Sequence, residues 1–141
     1  MIGTLIARKN FAGAFEALSR HDLDAFLAAW RDDAVFVYPG DVPESGTFGG
    51  KVAIEAWFRR YFQQFPETIY DVTNICVRNC CDMVGNNLLT AEWSLHLMNR
   101  DGREGHNSGI TVATCQGGKV IAVKDYLFDT GDAFRKDWGA L

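Results

Sequence analysis

The chain has no surplus of positive charge, little proline and no long apolar run, and each shortage removes a class of protein. Its 141 residues carry 14 Lys and Arg against 18 Asp and Glu, a net charge of −4. Nucleic-acid binders show a basic footprint, and without one no nucleic acid is expected as a partner. No apolar run approaches the roughly 18 residues of a membrane span, so no membrane is expected either. The first fifteen residues are broken by Arg8, Lys9 and Asn10, which leaves too short an apolar stretch for a secretory leader. The sequence therefore reads as cytoplasmic.

Thiols and imidazoles are equally sparse. The four cysteines, Cys76, Cys80, Cys81 and Cys115, form no Cys-x-x-Cys and have no histidine at zinc-finger spacing. Cys80 and Cys81 are adjacent, so on a strand they would point to opposite faces. All four read as reduced, buried or half-buried thiols, because free cysteine behaves as a small hydrophobe. His21, His96 and His106 show neither H-x-H nor H-E-x-x-H spacing, and the chain has no P-loop and no G-x-G-x-x-G. No metal and no cofactor are expected, and His21 reads as a solvated residue in a helix turn.

What the chain does contain is apolar mass. Hydrophobic residues make up 48% and aromatics 13%, including ten Phe and four Trp. One domain of this length, residues 1–141, buries about two-thirds of the surface its unfolded form exposes and needs no staples. Phe11, Ala14, Phe15 and Leu18 recur at helical spacing. Asp22 is placed to cap a second helix striped by Leu23, Phe26, Leu27 and Trp30 and closed by Asp32-Asp33. Ala34–Tyr38 is β-branched and aromatic, a strand. A third helix runs from about Val52 to Gln64, and Pro66 stops it. Four strands follow, Tyr70–Cys80, Asn87–Met98, Asn107–Cys115 and Lys119–Leu127, separated by Gly85-Asn86, Asp101-Gly102 and Gly117-Gly118. These turns are hairpin signals, so the sheet is expected to be antiparallel. Asp132–Trp138 adds a short terminal helix. The fold class is α+β, a curved antiparallel sheet packed on N-terminal helices with a concave apolar interior.

Two segments, His21–Phe58 and Gly117–Asp129, resemble the SnoaL-like branch of the nuclear-transport-factor-2-like superfamily. That superfamily includes ketosteroid isomerases, polyketide cyclases and limonene epoxide hydrolases. The first segment matches its order of acidic turn, helix, Asp-Asp-Ala, strand, Pro, Gly and helix. The second matches its final strand, a Gly-Lys-Val start leading to Lys-Asp-Tyr. The resemblance implies a cone-shaped α+β barrel, a deep pocket for a small apolar ligand and a homodimer. It also shows departures. Tyr38 stands where ketosteroid isomerases carry their base, and Ala14 and Thr111 stand where they carry oxyanion donors. The Arg-x-Asp of the epoxide hydrolases has no counterpart in Gly109-Ile110-Thr111.

Asp125 is the strongest catalytic candidate. Strand alternation puts it on one face with Val123 and Leu127, the face that the resemblance turns toward the pocket. Burial among apolar neighbours raises a carboxyl pKa toward neutrality, as a general base requires; the plainer reading is a structural ion pair. Tyr38 is a candidate donor to a substrate carbonyl, or else a core phenol with a satisfied hydroxyl. Asn107 shares a face with Gly109, Thr111 and Ala113; its amide could orient a ligand oxygen or Asp125, or it is a turn residue at a strand start. Trp30, Phe36, Trp57, Trp93, Thr111, Val123 and Leu127 form the expected ligand-lining set. His96 and His106 are lesser candidates, both expected on the outer sheet face, and Trp138 is expected to cap the cone or pack on a partner chain.

The leading functional expectation is a cofactor-independent enzyme acting on a small apolar carbonyl or polycyclic substrate. Asp125 removes a proton alpha to the carbonyl, and Tyr38 or Asn107 stabilises the enolate. The alternatives are a non-catalytic binding or dimerisation module, and water addition to an epoxide.

Overall fold

A computed structural model describes residues 2–79 and 82–141; Cys80 and Cys81 lie outside the described residues. Helix α1, Ile2–Ser19, buries Phe15, Ala17 and Leu18. Helix α2, Leu23–Leu27, is capped by the Asp22 carboxylate, which accepts the Ala25 N–H at 3.1 Å. It is shorter than its apolar stripe predicts, because Trp30 already begins strand β1, Trp30–Tyr38. A register irregularity between Trp30 and Val35 leaves Arg31, Asp32 and Asp33 exposed. Asp32 and Asp33 therefore belong to the strand and do not close the helix, and Arg31 pairs with Asp33 and donates to Gln116 at 2.8 Å. Past the bulge the strand turns Ala34, Phe36 and Tyr38 inward.

The segment from Pro43 to Gly50 reads in sequence as a loop rich in turn residues, but part of it is a short strand, β2, Gly46–Gly49, which pairs with β1 and sets Phe48 beside Phe36. Helix α3, Lys51–Gln64, buries Ile54, Trp57, Phe58 and Tyr61 along one face. It ends at Phe65, where Pro66 disfavours helical backbone. Strands β3, Glu67–Val77, β4, Asn87–Met98, β5, Glu104–Gln116, and β6, Lys119–Leu127, follow, then helix α4, Asp132–Asp137.

The six strands form one sheet in the order β2-β1-β6-β5-β4-β3. All neighbours are antiparallel except β1 and β6, which run parallel. The sheet is therefore mixed, which corrects the expectation of an antiparallel one. Turn residues report only pairings between consecutive strands; β1 and β6 are far apart in sequence and meet through the tertiary fold.

The sheet curves and stays unclosed, with α1 and α3 on its concave side. Inward positions alternate strictly along β4, where Leu89, Ala91, Trp93, Leu95 and Leu97 are buried. Trp138 closes the base of the cone. It packs edge-on against Phe65 at 4.8 Å and donates its indole N–H to the Tyr38 hydroxyl at 3.2 Å. Two further sequence expectations fail. Cys76 is exposed, because the irregularity between Val72 and Asn74 in β3 turns it outward. His21 is not simply solvated: it bonds Thr68 Oγ1 at 3.2 Å and stacks on Phe62 at 4.2 Å, and burial pulls its pKa down.

Candidate functional site

Between the concave face and the helices lies a chamber of about 70 Å³, walled by aromatic residues of α1, β1 and α3, with room for a handful of waters. Asp125 enters it from β6. The β5–β6 register sets Thr111 directly opposite Asp125, and Thr111 Oγ1 donates to Asp125 Oδ1 at 2.6 Å. Thr111 in turn accepts the Trp93 indole N–H at 2.9 Å. Among the described residues Asp125 has no ion-pair partner, and it lines the chamber. Burial pushes its carboxyl pKa up to about 6, against the Thr111 hydrogen bond, which pulls it down. Desolvation therefore outweighs the one hydrogen bond.

Three phenols surround this carboxylate. Tyr61 of α3 and Tyr70 of β3 have their hydroxyls 2.8 Å apart, and Tyr38 accepts the Trp138 N–H. Burial raises the pKa of all three, and the Asp125 charge adds a smaller upward push to each. They therefore remain protonated donors across the physiological range.

Beside the chamber lies a larger vestibule of about 370 Å³. Phe11, Ala14, Phe26, Trp30, Ala113 and Val120 line both spaces, so they stand between the two. The far wall of the vestibule is the first half of α1 and the loop from Asp82 to Asn87.

The structure brings together Asp125, Tyr38, Trp30, Phe36, Trp57, Thr111 and Val123 around the chamber. Other candidates lie elsewhere. Asn107 has the inward parity but sits near the start of β5. There its side chain donates to the Asp129 carbonyl at 2.7 Å and accepts the Asp129 N–H at 3.2 Å, which ties down the loop after β6. Trp93 stands behind Thr111, and neither it nor Leu127 lines the chamber. His96 and His106 face each other across β4 and β5, with Nδ1 atoms 3.2 Å apart, outside the chamber. Sequence reasoning missed the Tyr61–Tyr70 pair. Tyr61 lay on the apolar stripe of α3, and a phenol on an inward stripe needs a buried partner; that requirement was the available signal. Among the described residues no group of three or more His, Cys, Asp or Glu is placed to hold a metal.

A model of the SnoaL-like domain matches residues 11–123, and the chain belongs to that family. The match ends two residues short of Asp125. Among solved structures, the chain resembles an NTF2-like protein of unknown function from Burkholderia pseudomallei (20% identity, 91% of this chain and 94% of that one, TM-score 0.77). It also resembles a candidate isomerase from Bacillus subtilis (20%, 96% and 94%, TM-score 0.76). A third is TerC, crystallised with polyporic acid (15%, 93% and 96%, TM-score 0.75). At these identities the likeness is one of fold. No curated protein matches the chain.

The raised carboxyl pKa has a consequence for stability. A folded-state pKa of about 6 against an unfolded value near 3.8 means that the folded chain holds the Asp125 proton more tightly. That contribution is full at low pH and is lost as pH rises through about 6, amounting to roughly 3 kcal/mol at most, and less where water enters the chamber. Asp125→Asn keeps the shape and removes the charge. The variant should match the parent near pH 4 and exceed it in stability by about 1–3 kcal/mol at pH 7–8, read from urea unfolding at each pH. A variant less stable than the parent at neutral pH would mean that Asp125 is a structural ion-pair member.

Proposed function

We propose that the chain is a cofactor-independent proton-transfer enzyme, of the isomerase or cyclase type, acting on an apolar carbonyl compound. The observation that carries this reading is Asp125, a lone carboxylate in an aromatic chamber, with its pKa raised to about 6 and hydroxyl donors around it. Near pH 7 the group is largely ionised yet poorly solvated, the state of an effective general base. Asp125 takes the proton alpha to the carbonyl, and the electrons move onto the carbonyl oxygen. A phenol, Tyr38 or one of the Tyr61–Tyr70 pair, donates to that oxyanion. Return of the proton at another carbon gives isomerisation, and attack of the enolate carbon on a second carbonyl gives cyclisation. Asn107 takes no part, since its amide holds Asp129. A polycyclic substrate exceeds the chamber alone and would need part of the adjoining vestibule. The fold shared with a candidate isomerase and with a protein crystallised with polyporic acid supports this class of chemistry without fixing the substrate.

A bicyclic ketone such as 2-tetralone in heavy water provides a direct test, with exchange of its alpha protons followed by NMR. The protein should accelerate exchange, with an ascending limb centred near pH 6. Asp125→Asn should lose a factor of about 10²–10⁴ while still binding the ketone. Binding with no Asp125-dependent exchange would leave a non-catalytic binding module.

We further propose that the chain forms a homodimer through the outer sheet face, where Ile69, Ile110 and Tyr126 are exposed. Light scattering at micromolar concentration should give twice the chain mass, and Ile110→Lys should shift the protein toward monomer. A monomer mass for the parent would end this reading.

A further inference from the structure

On the outer face of the sheet, away from the chamber, two imidazoles meet across paired strands. The β4–β5 register sets His96 directly opposite His106, and their Nδ1 atoms are 3.2 Å apart. His96 is half-buried and His106 is exposed. The ring planes are tilted by 51° with centroids 4.5 Å apart, so the rings meet at their nitrogens and do not lie flat on one another. One Nδ1 carries a hydrogen and the other accepts it. Neither ring lines the chamber.

The side chains beside the pair are acidic. On β3, Ile69 stands opposite His96, and the exposed Glu67 and Asp71 flank Ile69 on the same face. On β5, the exposed Glu104 is two residues from His106 and shares its face. The outward positions next to the pair on these strands hold no Lys or Arg. Arg100 and Arg103 belong to the turn between β4 and β5, and Arg103 is committed to Asp137.

We propose that His96 and His106 chelate a divalent transition-metal ion of the Ni²⁺ or Zn²⁺ kind through their two Nδ1 atoms. Imidazole nitrogens bind such ions at about 2.0–2.1 Å. At coordination angles of about 90–109°, two neighbouring ligand atoms are then about 2.9–3.4 Å apart. The 3.2 Å between the rings falls in that range, so the strand register holds the pair at the spacing of a chelate before an ion arrives. The ring that donates its Nδ1 hydrogen changes to the Nε2–H tautomer on binding, which frees the lone pair and leaves the imidazole neutral. The second nitrogen binds intramolecularly, so the pair should exceed a single imidazole in affinity by about 10²-fold. Glu67, Asp71 and Glu104 add a field that favours a cation. Two side chains leave coordination positions for water, in keeping with the lack of any group of three or more ligating residues among the described residues. Spacing rules search for ligands within one short segment and miss a pair that a hairpin brings together from ten residues apart. The inference revises the sequence-based expectation of no metal, and it rests on neither the chamber chemistry nor the dimer.

The test is calorimetric titration of the full chain with Ni²⁺ at pH 8, where free imidazole is neutral, joined to NMR of the histidine ring protons. One ion per chain should bind. Paramagnetic Ni²⁺ should broaden the His96 and His106 signals together, and far more than that of His21, which packs against Phe62 and Thr68. His96→Gln and His106→Gln should each weaken binding by about 10²-fold. The double variant should be little weaker than either, because one imidazole alone is no chelate. Both side chains are on the outer face, and far-ultraviolet dichroism should match the parent for all three variants. Cys76 is exposed, and uptake at a thiol would persist in every variant. The broadening is read on the parent chain, so it decides the matter even where a substitution unsettles a strand. The proposal is overturned by Ni²⁺ binding no tighter than that of free imidazole, by binding that the variants leave unchanged, or by broadening that spares the two rings. It is equally overturned by uptake of one ion per two chains with a rise in solution mass, which would make the ion a bridge between copies.

Discussion

One carboxylate held away from bulk water sets the terms for this molecule. Among the described residues Asp125 has one hydrogen-bond donor, Thr111, and that donor is itself fixed. The Thr111 hydroxyl has one hydrogen. Because its oxygen accepts the Trp93 indole N–H, the hydrogen is directed to Asp125. The relay from Trp93 through Thr111 to Asp125 depends on the β4–β5–β6 register, which places Trp93 opposite Gly109 and Thr111 opposite Asp125. A side chain at Gly109 would collide with the Trp93 ring and the Tyr126 carbonyl, so the glycine is what lets the indole lie along the strand and reach Thr111.

A second enclosed carboxylate shows the contrast. Asp137 at the base of the cone pairs with Arg103 at 2.7 Å, and its carbonyl accepts the side-chain amides of Gln64 at 2.8 Å and Asn99 at 3.1 Å. Gly105 leaves room for its carboxylate, since a Cβ there would overlap it. Asp137 thus ties α4 to the sheet and keeps Trp138 seated over Tyr38. The chain supplies a cation where the carboxylate is structural and withholds one where it faces the chamber. A carboxyl whose pKa burial raises to about 6, set in a cavity, is a functional-site candidate, since strongly perturbed pKa values cluster at such sites.

Much of this was legible in the sequence, for identifiable reasons. The period of α1 and α3, the hairpin turns around β4, β5 and β6, and the alternation that puts Val123 and Asp125 on one face are local patterns, and local patterns survive folding. Strands β4 and β6 fall where the sequence places them, Asn87–Met98 and Lys119–Leu127. Features that depend on distant contacts were not legible. Trp30 fits a helical stripe equally well, and only its pairing with Val120 makes it strand. The parallel β1–β6 contact leaves no turn signal. Asn107 and Leu127 have the inward parity, but parity gives a direction and not a depth, and both sit beyond the end of the chamber. The Tyr61–Tyr70 contact joins a helix to a strand, and no spacing rule connects them.

The central claim is that Asp125 is an unpaired, desolvated carboxylate able to act as a base. Its titration can be followed directly by carbon-13 NMR of the side-chain carboxyl, with the resonance assigned by its absence in Asp125→Asn. The account predicts a midpoint near 6. A midpoint at or below the ordinary aspartate value of about 3.9 would contradict it, and Asp125 would then be a solvated or ion-paired group with no claim to proton transfer.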